Sequence, residues 1–494
     1  MQVRSLNTER RDRRWSALAL IVVAQFMVIL DVAIVNVALP SIKIDLGFSQ
    51  TTLQWVVSAY AIIFGGTLLL GGRLADLLGR RRLFLVGLAV FSASSLLCGL
   101  AWSEVSLITF RAVQGLGGAL LAPAALSLLM TTFADGRERN TALGIYGAAS
   151  GSGAAAGVLL GGLLTSYLSW PWIFFINVPV GLGAMALTPF LLRESRASLD
   201  HRHFDFAGAA TVTAGLMLHV YALTRATTDG WGTPTTIGLL AASATLVGAF
   251  VVIELRSKAP LLPMRIFRLP TLAAANVTMA LVGGATFAEF FVLSLYMQDV
   301  LHYSALQTGV GFVAFALTVV IASNIAQVVV GRVGVRPALT AGLLASATSV
   351  AVLTRLPVDG HYFWDLFPAY VLGGAGLAFA FVPVTIAALA GVDRSDAGVA
   401  SGLLNTSRQV GGAVGLAAVT AIAAASTTNY VDGHQNVAAA SPAALDHGFQ
   451  TALYVLTGLL VLGALVAVGF IRPRPRPVEA EARADELEPV REAA

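Results

Sequence analysis

Apolar runs recur along the whole chain, each close to the length of a bilayer crossing and each broken by a short polar, basic or Gly/Pro-rich segment. Runs of about 20 residues match the roughly 30 Å of hydrocarbon that a helix must cross. Short alternating segments of the kind that build a membrane barrel do not occur. The pattern predicts helices at about 16–39, 53–71, 83–101, 105–130, 141–165 and 172–192. Two more follow at 206–224 and 236–253, then six at 271–298, 306–330, 337–354, 363–390, 397–425 and 449–471. The expected fold is therefore all-α and membrane-integral, with about fourteen spans. The segment from Ser426 to His447 is polar and Ala-rich and reads as a loose loop.

Charge supports this division. Charged residues make up 12% of the 494 positions, about half the share usual in soluble proteins. When the N-terminus is placed in the cytoplasm and sides alternate, 26 of the 31 Lys and Arg fall on the cytoplasmic side. Such a bias fits the positive-inside rule with both termini inside. Two basic clusters, at 193–202 and 256–268, both belong inside, so the chain between them crosses twice. The turn Asp229, Gly230, Trp231, Gly232, Pro234 suits the outer end of that pair. The Arg-rich start precedes an apolar run too long for a cleaved signal. The tail from Arg472 alternates Arg and Pro, then turns acidic, and reads as disordered. Cys98 is the single cysteine, so an intrachain disulfide is excluded. Arg far outnumbers Lys, which hints at a bacterial source with a high-GC genome.

A few polar residues interrupt the apolar runs. Asp31 lies inside the first span, where a charge costs roughly 2.5–3.5 kcal/mol on insertion scales and reads as functional. It lies about 22 Å along that span, in its outer half. Arg111, in the fourth span, falls in the same half; the plain alternative is an arginine that snorkels to the surface. Glu289 stands among Phe287, Phe290 and Phe291. Desolvation by those rings suits a group that takes up and releases a proton, with a structural hydrogen bond as the alternative. Between spans two and three, Gly72, Asp76, Gly79 and Arg80 mark a tight basic turn. There Asp76 can pair with an arginine or cap a helix, and such a clasp can hold two bundles together in one state. The plain alternative is a solvated loop. In the fifth span, Gly153, Gly157, Gly161 and Gly162 permit close helix approach. His219 reads as a structural polar contact. His201 and His203 form a lone pair without a third ligand, so no metal is expected.

The run Gly72–Arg82 resembles the loop signature of the major facilitator superfamily, with a degenerate echo at Gly331–Pro337 that lacks the Asp. Gly153–Gly162 resembles the antiporter motif of its exporters, with Val158 where Pro is usual. Leu30–Pro40, Trp170–Gly181 and Ala400–Gly412 are similar to the signatures of the fourteen-span drug:proton antiporters; Pro171 stands where Arg is usual. The resemblance implies two six-helix bundles, 16–192 and 269–471. Between them lies a linker, 193–268, with two extra helices, and outside them a basic arm, 1–15, and the tail, 472–494. It further implies proton-driven efflux of lipophilic drugs across the cytoplasmic membrane by a monomer, powered by the proton gradient with no cofactor. Proton coupling falls on Asp31, Arg111 and, by local inference, Glu289. The substrate cavity is assigned Phe26, Asn36, Tyr60, Gln114, Phe290 and Arg408. An importer or facilitator of a small nutrient is the alternative on the same fold. A membrane enzyme would show a nucleotide loop, nucleophile motif or metal cluster, and none is found.

Overall fold

In hydrocarbon every backbone N–H and C=O must be satisfied within the protein, so a chain of apolar runs folds as helices. The computed structural model describes residues 2–133, 137–195, 205–257, 260, 269–390, 397–434, 438 and 441–471. Among them there is no strand. The first helices are α1 (Gln2–Leu46), α2 (Gln50–Leu53), α3 (Trp55–Leu78), α4 (Arg80–Gly99), α5 (Glu104–Thr132) and α6 (Arg137–Tyr167). Next come α7 (Trp172–Phe175), α8 (Asn177–Leu191), α9 (Phe206–Asp229) and α10 (Pro234–Arg256). The last six are α11 (Pro270–Leu295), α12 (Ala305–Val333), α13 (Val335–Leu353), α14 (Phe367–Leu389), α15 (Ala397–Gly433) and α16 (Pro442–Phe470). Short π-helical turns, Tyr296–Val300 and Tyr362–Leu366, extend α11 and lead into α14.

Because α2 leads into α3 and α7 into α8, the described helices make fourteen crossings. Twelve segments among the described residues are long and apolar enough to span on their own. In α6 and α9 the apolar stretches, Ala156–Tyr167 and Ala207–Leu223, are shorter. Their full lengths of 31 and 24 residues still reach across ~30 Å at about 1.5 Å per residue. Trp102, Trp231 and Trp364 are exposed at three turns on one end of the molecule, opposite the basic loops. Tryptophan favours a membrane–water boundary. That end is called here the far end, and the one carrying the arginine clusters the basic end.

In the first bundle α1 packs on α5, α6 and α8, and α4 on α5 and α8. In the second, α11 packs on α15 and α16, and α14 on α12 and α13. The bundles meet along two long seams, α6 against α12 and α3 against α15, with α1 touching α11. The extra pair α9–α10 lies beside α3 and α15 through α9, so it flanks one seam.

Glycine sets the closeness of the helices. A methyl group at Gly157 would stand 2.7 Å from Ala33 Cβ and 2.9 Å from the Leu30 carbonyl. Gly161 meets the Ile34 carbonyl and Gly153 the Phe26 carbonyl in the same way. Three glycines spaced by four therefore press one face of α6 onto α1, while Gly162 and the backbone at Val158 receive α12. The helix is continuous through Val158, and the close crossing is made without proline. In the second bundle a methyl at Gly411 would overlap the backbone of Ala280. Gly411→Val is expected to force α11 from α15 and to cost about 1–3 kcal/mol, as overpacking does. A thermal unfolding series in detergent, with Gly433→Val as the unconstrained comparison, measures this; equal midpoints would refute the contact.

One expectation fails. The loose loop read from Ser426 to His447 is mostly helix: α15 continues to Gly433 and α16 starts at Pro442. The stretch after Ser426 contains no Pro and no Gly before Gly433, so nothing in it stops a helix already running. Ser441 then caps α16 by accepting from Ala444 N–H. The basic arm likewise continues α1 back to Gln2. The tail, His201, His203 and the side chain of Asp76 lie outside the described residues.

Candidate functional site

Asp31 of α1 is wholly buried inside the first bundle, and helices α4, α5 and α8 each contribute polar groups to the network around it. Arg111 Nη1 donates to Asp31 Oδ2 at 2.6 Å. Gln114 Nε2 and Asn177 Nδ2 donate to Oδ1 at 2.8 and 2.9 Å. Both amides also donate to Ser95 Oγ, which in turn donates to the Phe174 carbonyl. The carboxylate thus accepts three hydrogen bonds, one of them from a cation. The guanidinium is held on its other sides. Its Nε donates to the Val56 carbonyl at 3.0 Å, Nη1 also donates to Gln114 Oε1 at 2.6 Å, and its carbon lies 4.4 Å from the Tyr60 ring centroid. Arg111 therefore does not snorkel; it is 1% exposed.

Desolvating two such charges costs several kcal/mol per ion, and the attraction offsets this only with good geometry and further hydrogen bonds. Here both conditions hold for the paired state. Protonating Asp31 would remove the anion that Arg111 faces and leave a buried cation leaning on dipoles. The ion pair thereby ties α1 to α5. The glycine face of α6 seats the segment of α1 that carries Asp31.

Two residues expected to line the cavity lie elsewhere. Gln114 is fully buried in the Asp31 network. Asn36 donates to the Val32 carbonyl of its own helix, and its backbone carbonyl accepts from Ser294 Oγ of α11 at 2.6 Å. Tyr60 is packed between Arg111 and Phe64. Phe26 is partly buried against the core, and Phe290 stacks on Phe312 with centroids 4.9 Å apart. Ser95 and Asn177 had no role assigned from sequence. Asn177 belongs to the quoted Trp170–Gly181 run, and a buried amide two residues from Pro179 in an apolar span was the available signal.

Glu289 occupies a contrasting place in the second bundle. It borders a small cavity, with about 10 Å³ of room for a water centre, lined also by Phe315, Ser346, Gly373 and Leu460. Among the described residues no side chain makes a hydrogen bond or ion pair with its carboxylate. Arg408 is not its partner; that side chain lies over Phe381.

At the basic end, Gly79 joins α3 to α4 with φ of +112°, a left-handed conformation that suits glycine. The exposed N–H groups of α4 are met by Glu194, which follows α8. Its Oε1 accepts from Arg81 N–H at 3.1 Å and its Oε2 from Arg82 N–H at 3.2 Å. Arg80 N–H donates to the Ser195 carbonyl at 3.0 Å. Among the described residues, the carboxylate at this helix N-terminus is therefore Glu194. Gly72 packs near Pro123 of α5.

At the far end the bundles are tied together. Besides the Ser294 bond, Gln298 Nε2 donates to the Val37 carbonyl at 3.1 Å, and Lys43 Nζ lies 3.5 Å from Asp299 Oδ2. The ion pair is partly exposed, and such pairs contribute about 0.2–1 kcal/mol. Asp299→Asn is expected to raise the open fraction of this end by up to about fivefold at low salt. Maleimide labelling of an Asn36→Cys background follows it, and an unchanged rate at both low and high salt would refute the latch.

Two bundles with a charged network buried in one and tied ends between them define a polytopic membrane transporter fold. A bacterial homologue of the human lysosomal transporter Spinster superposes with a TM-score of 0.65 at 16% identity, over 94% of this chain and 99% of that one. The POT family transporter PepTSo gives 0.68 at 14% identity, over 92% and 97%. The sequence profile of the Major Facilitator Superfamily matches residues 21–416, and the chain belongs to that superfamily. It is 40% identical to the puromycin resistance protein pur8 of Streptomyces alboniger over 92% of this chain and 91% of that protein. It is 41% identical to the cephamycin export protein CmcT of Amycolatopsis lactamdurans over 85% and 87%. The tetracenomycin C resistance and export protein of Streptomyces glaucescens is 35% identical over 82% and 75%.

Proposed function

We propose that the protein exports lipophilic, antibiotic-like molecules from the bacterial cytoplasm by alternating access, driven by inward proton flow. The observation that carries this is the sealed Asp31–Arg111 network on a helix seated by the α6 glycines. A carboxylate whose proton occupancy alters helix packing is what an antiporter needs. The names of the relatives, for puromycin, cephamycin and tetracenomycin C, support small drug-like cargo. Phe290, Phe312, Phe315 and Tyr370 form one aromatic cluster in the second bundle, which favours lipophilic cargo over a sugar-like nutrient. In this reading the basic end is cytoplasmic, as the positive-inside rule asks, and the far end is the closed outer gate. The cycle opens the far end by parting α1 from α11 while the α6–α12 and α3–α15 seams act as pivots. Asp31 takes its proton from outside and gives it up inside, and Arg111 relaxes and re-forms its pair accordingly. The protein works as transporter rather than catalyst, as a monomer, with the proton gradient as its only energy source.

The test uses the purified chain in proteoliposomes, with a fluorescent lipophilic amine, a lipophilic acid and a neutral dye as cargo. An imposed proton gradient is expected to drive uphill movement that an uncoupler abolishes and ATP does not alter. Gradient-independent facilitated movement alone would instead identify a facilitator.

A further inference from the structure

Asp31, Arg111, Glu289 and Arg408 lie deep in the spans, and among the described residues neither Glu289 nor Arg408 makes an ion pair. Asp31 and Arg111 neutralise each other. Arg408 lies eleven residues into α15, about 16 Å from its basic end at 1.5 Å per residue, near mid-membrane. Among the described residues it makes no ion pair, and its Nε is buried with no hydrogen-bond partner. The Phe381 ring, 5.6 Å from the guanidinium carbon, attracts the cation weakly and does not neutralise it. The backbone of Arg408 packs on Gly283 of α11, while its side chain reaches Phe381 of α14. Arg408 lies two residues from Thr406, whose Oγ1 bonds the Gly65 carbonyl at 3.0 Å across the α3–α15 seam.

A cation held mid-membrane without a counter-charge is costly, and such a residue marks a ligand path. We propose that Arg408, with the Phe381 ring, forms an anion-binding site on the α15 side of the α3–α15 seam that takes the carboxylate of a lipophilic organic acid. The ring holds the apolar body and the guanidinium holds the charge. The proposal rests on the exporter reading and narrows its cargo.

The test is fluorescence titration of the full chain in nanodiscs with an anthracene carboxylate, its methyl ester and aminomethylanthracene. The acid is expected to bind at least about tenfold tighter than the ester, the scale of one charge-assisted hydrogen bond. The amine should bind weakest. Arg408→Gln should abolish the preference and Arg408→Lys retain part of it. Equal binding of acid and ester to the unmodified protein overturns the proposal without any variant, as does an acid preference that survives in Arg408→Gln. Uphill, uncoupler-sensitive export of the ester together with equal binding would leave the exporter standing and remove this site. An Arg408-dependent acid preference with no uphill export of any probe would keep the site and remove the exporter.

Discussion

Asp31→Asn is expected to leave the protein inserted and to abolish uphill, uncoupler-sensitive export, with rates falling to those seen without a gradient. The amide cannot exchange a proton in the working range, so the carrier on α1 is fixed in one form. Its oxygen can still accept from Arg111, Gln114 or Asn177, all within 2.9 Å of the native carboxylate. Arg111 also keeps the Val56 carbonyl and the Tyr60 ring. The fold should therefore survive, although an unbalanced buried cation is costly. Downhill exchange of labelled for unlabelled cargo should persist, because Asn resembles the protonated acid, and its persistence shows that the variant is folded. Uphill export at the wild-type rate would remove Asp31 from proton coupling. Glu289, bordering a cavity with room for about one water, would then be the carrier.

The spans were legible because bilayer thickness writes itself into run length and because arginines accumulate on one side. Asp31 and Arg111 were legible individually, since ions in apolar runs stand out. Their meeting was not. The pair is separated by 80 residues and the Asn177 bond by 146, and only the rotation of each helix about its axis decides which faces converge. Span boundaries carry no such angle. Gln114 was read as cavity-facing for that reason, although Arg111 and Gln114 are three residues apart and share one helix face. Ser95 gives no signal, since a serine in a membrane helix ordinarily bonds its own backbone, as Ser94 does to the Val90 carbonyl. Glu194 was obscured differently. Its role depends on the chain after α8 returning beside the Gly79 turn, and Asp76 was the nearer carboxylate in sequence. The end of α15 was misplaced because polar side chains were read as loop in a stretch with no helix breaker.

Arg111→Met should have the largest effect on stability. It removes the cation and leaves the Asp31 carboxylate buried with only the amides of Gln114 and Asn177 as donors. Breaking a buried pair from one side costs about 3–5 kcal/mol. The variant should express poorly or unfold well below the wild type in a thermal series, and it should not transport. Arg111→Lys should recover part of the stability but not the transport. A single ammonium does not reproduce the fork that reaches the Val56 carbonyl while engaging Asp31 and Gln114. The decisive measurement is the double variant Asp31→Asn with Arg111→Met. With neither charge buried, most of the lost stability should return, giving a coupling energy of about 3 kcal/mol between the two positions. Uphill export should remain absent, because the proton-exchanging group is gone. A double variant as unstable as Arg111→Met alone would mean that the guanidinium acts through its packing on Tyr60 and Phe174 rather than through its charge. The coupling of Asp31 protonation to the α1–α5 contact would then have no basis.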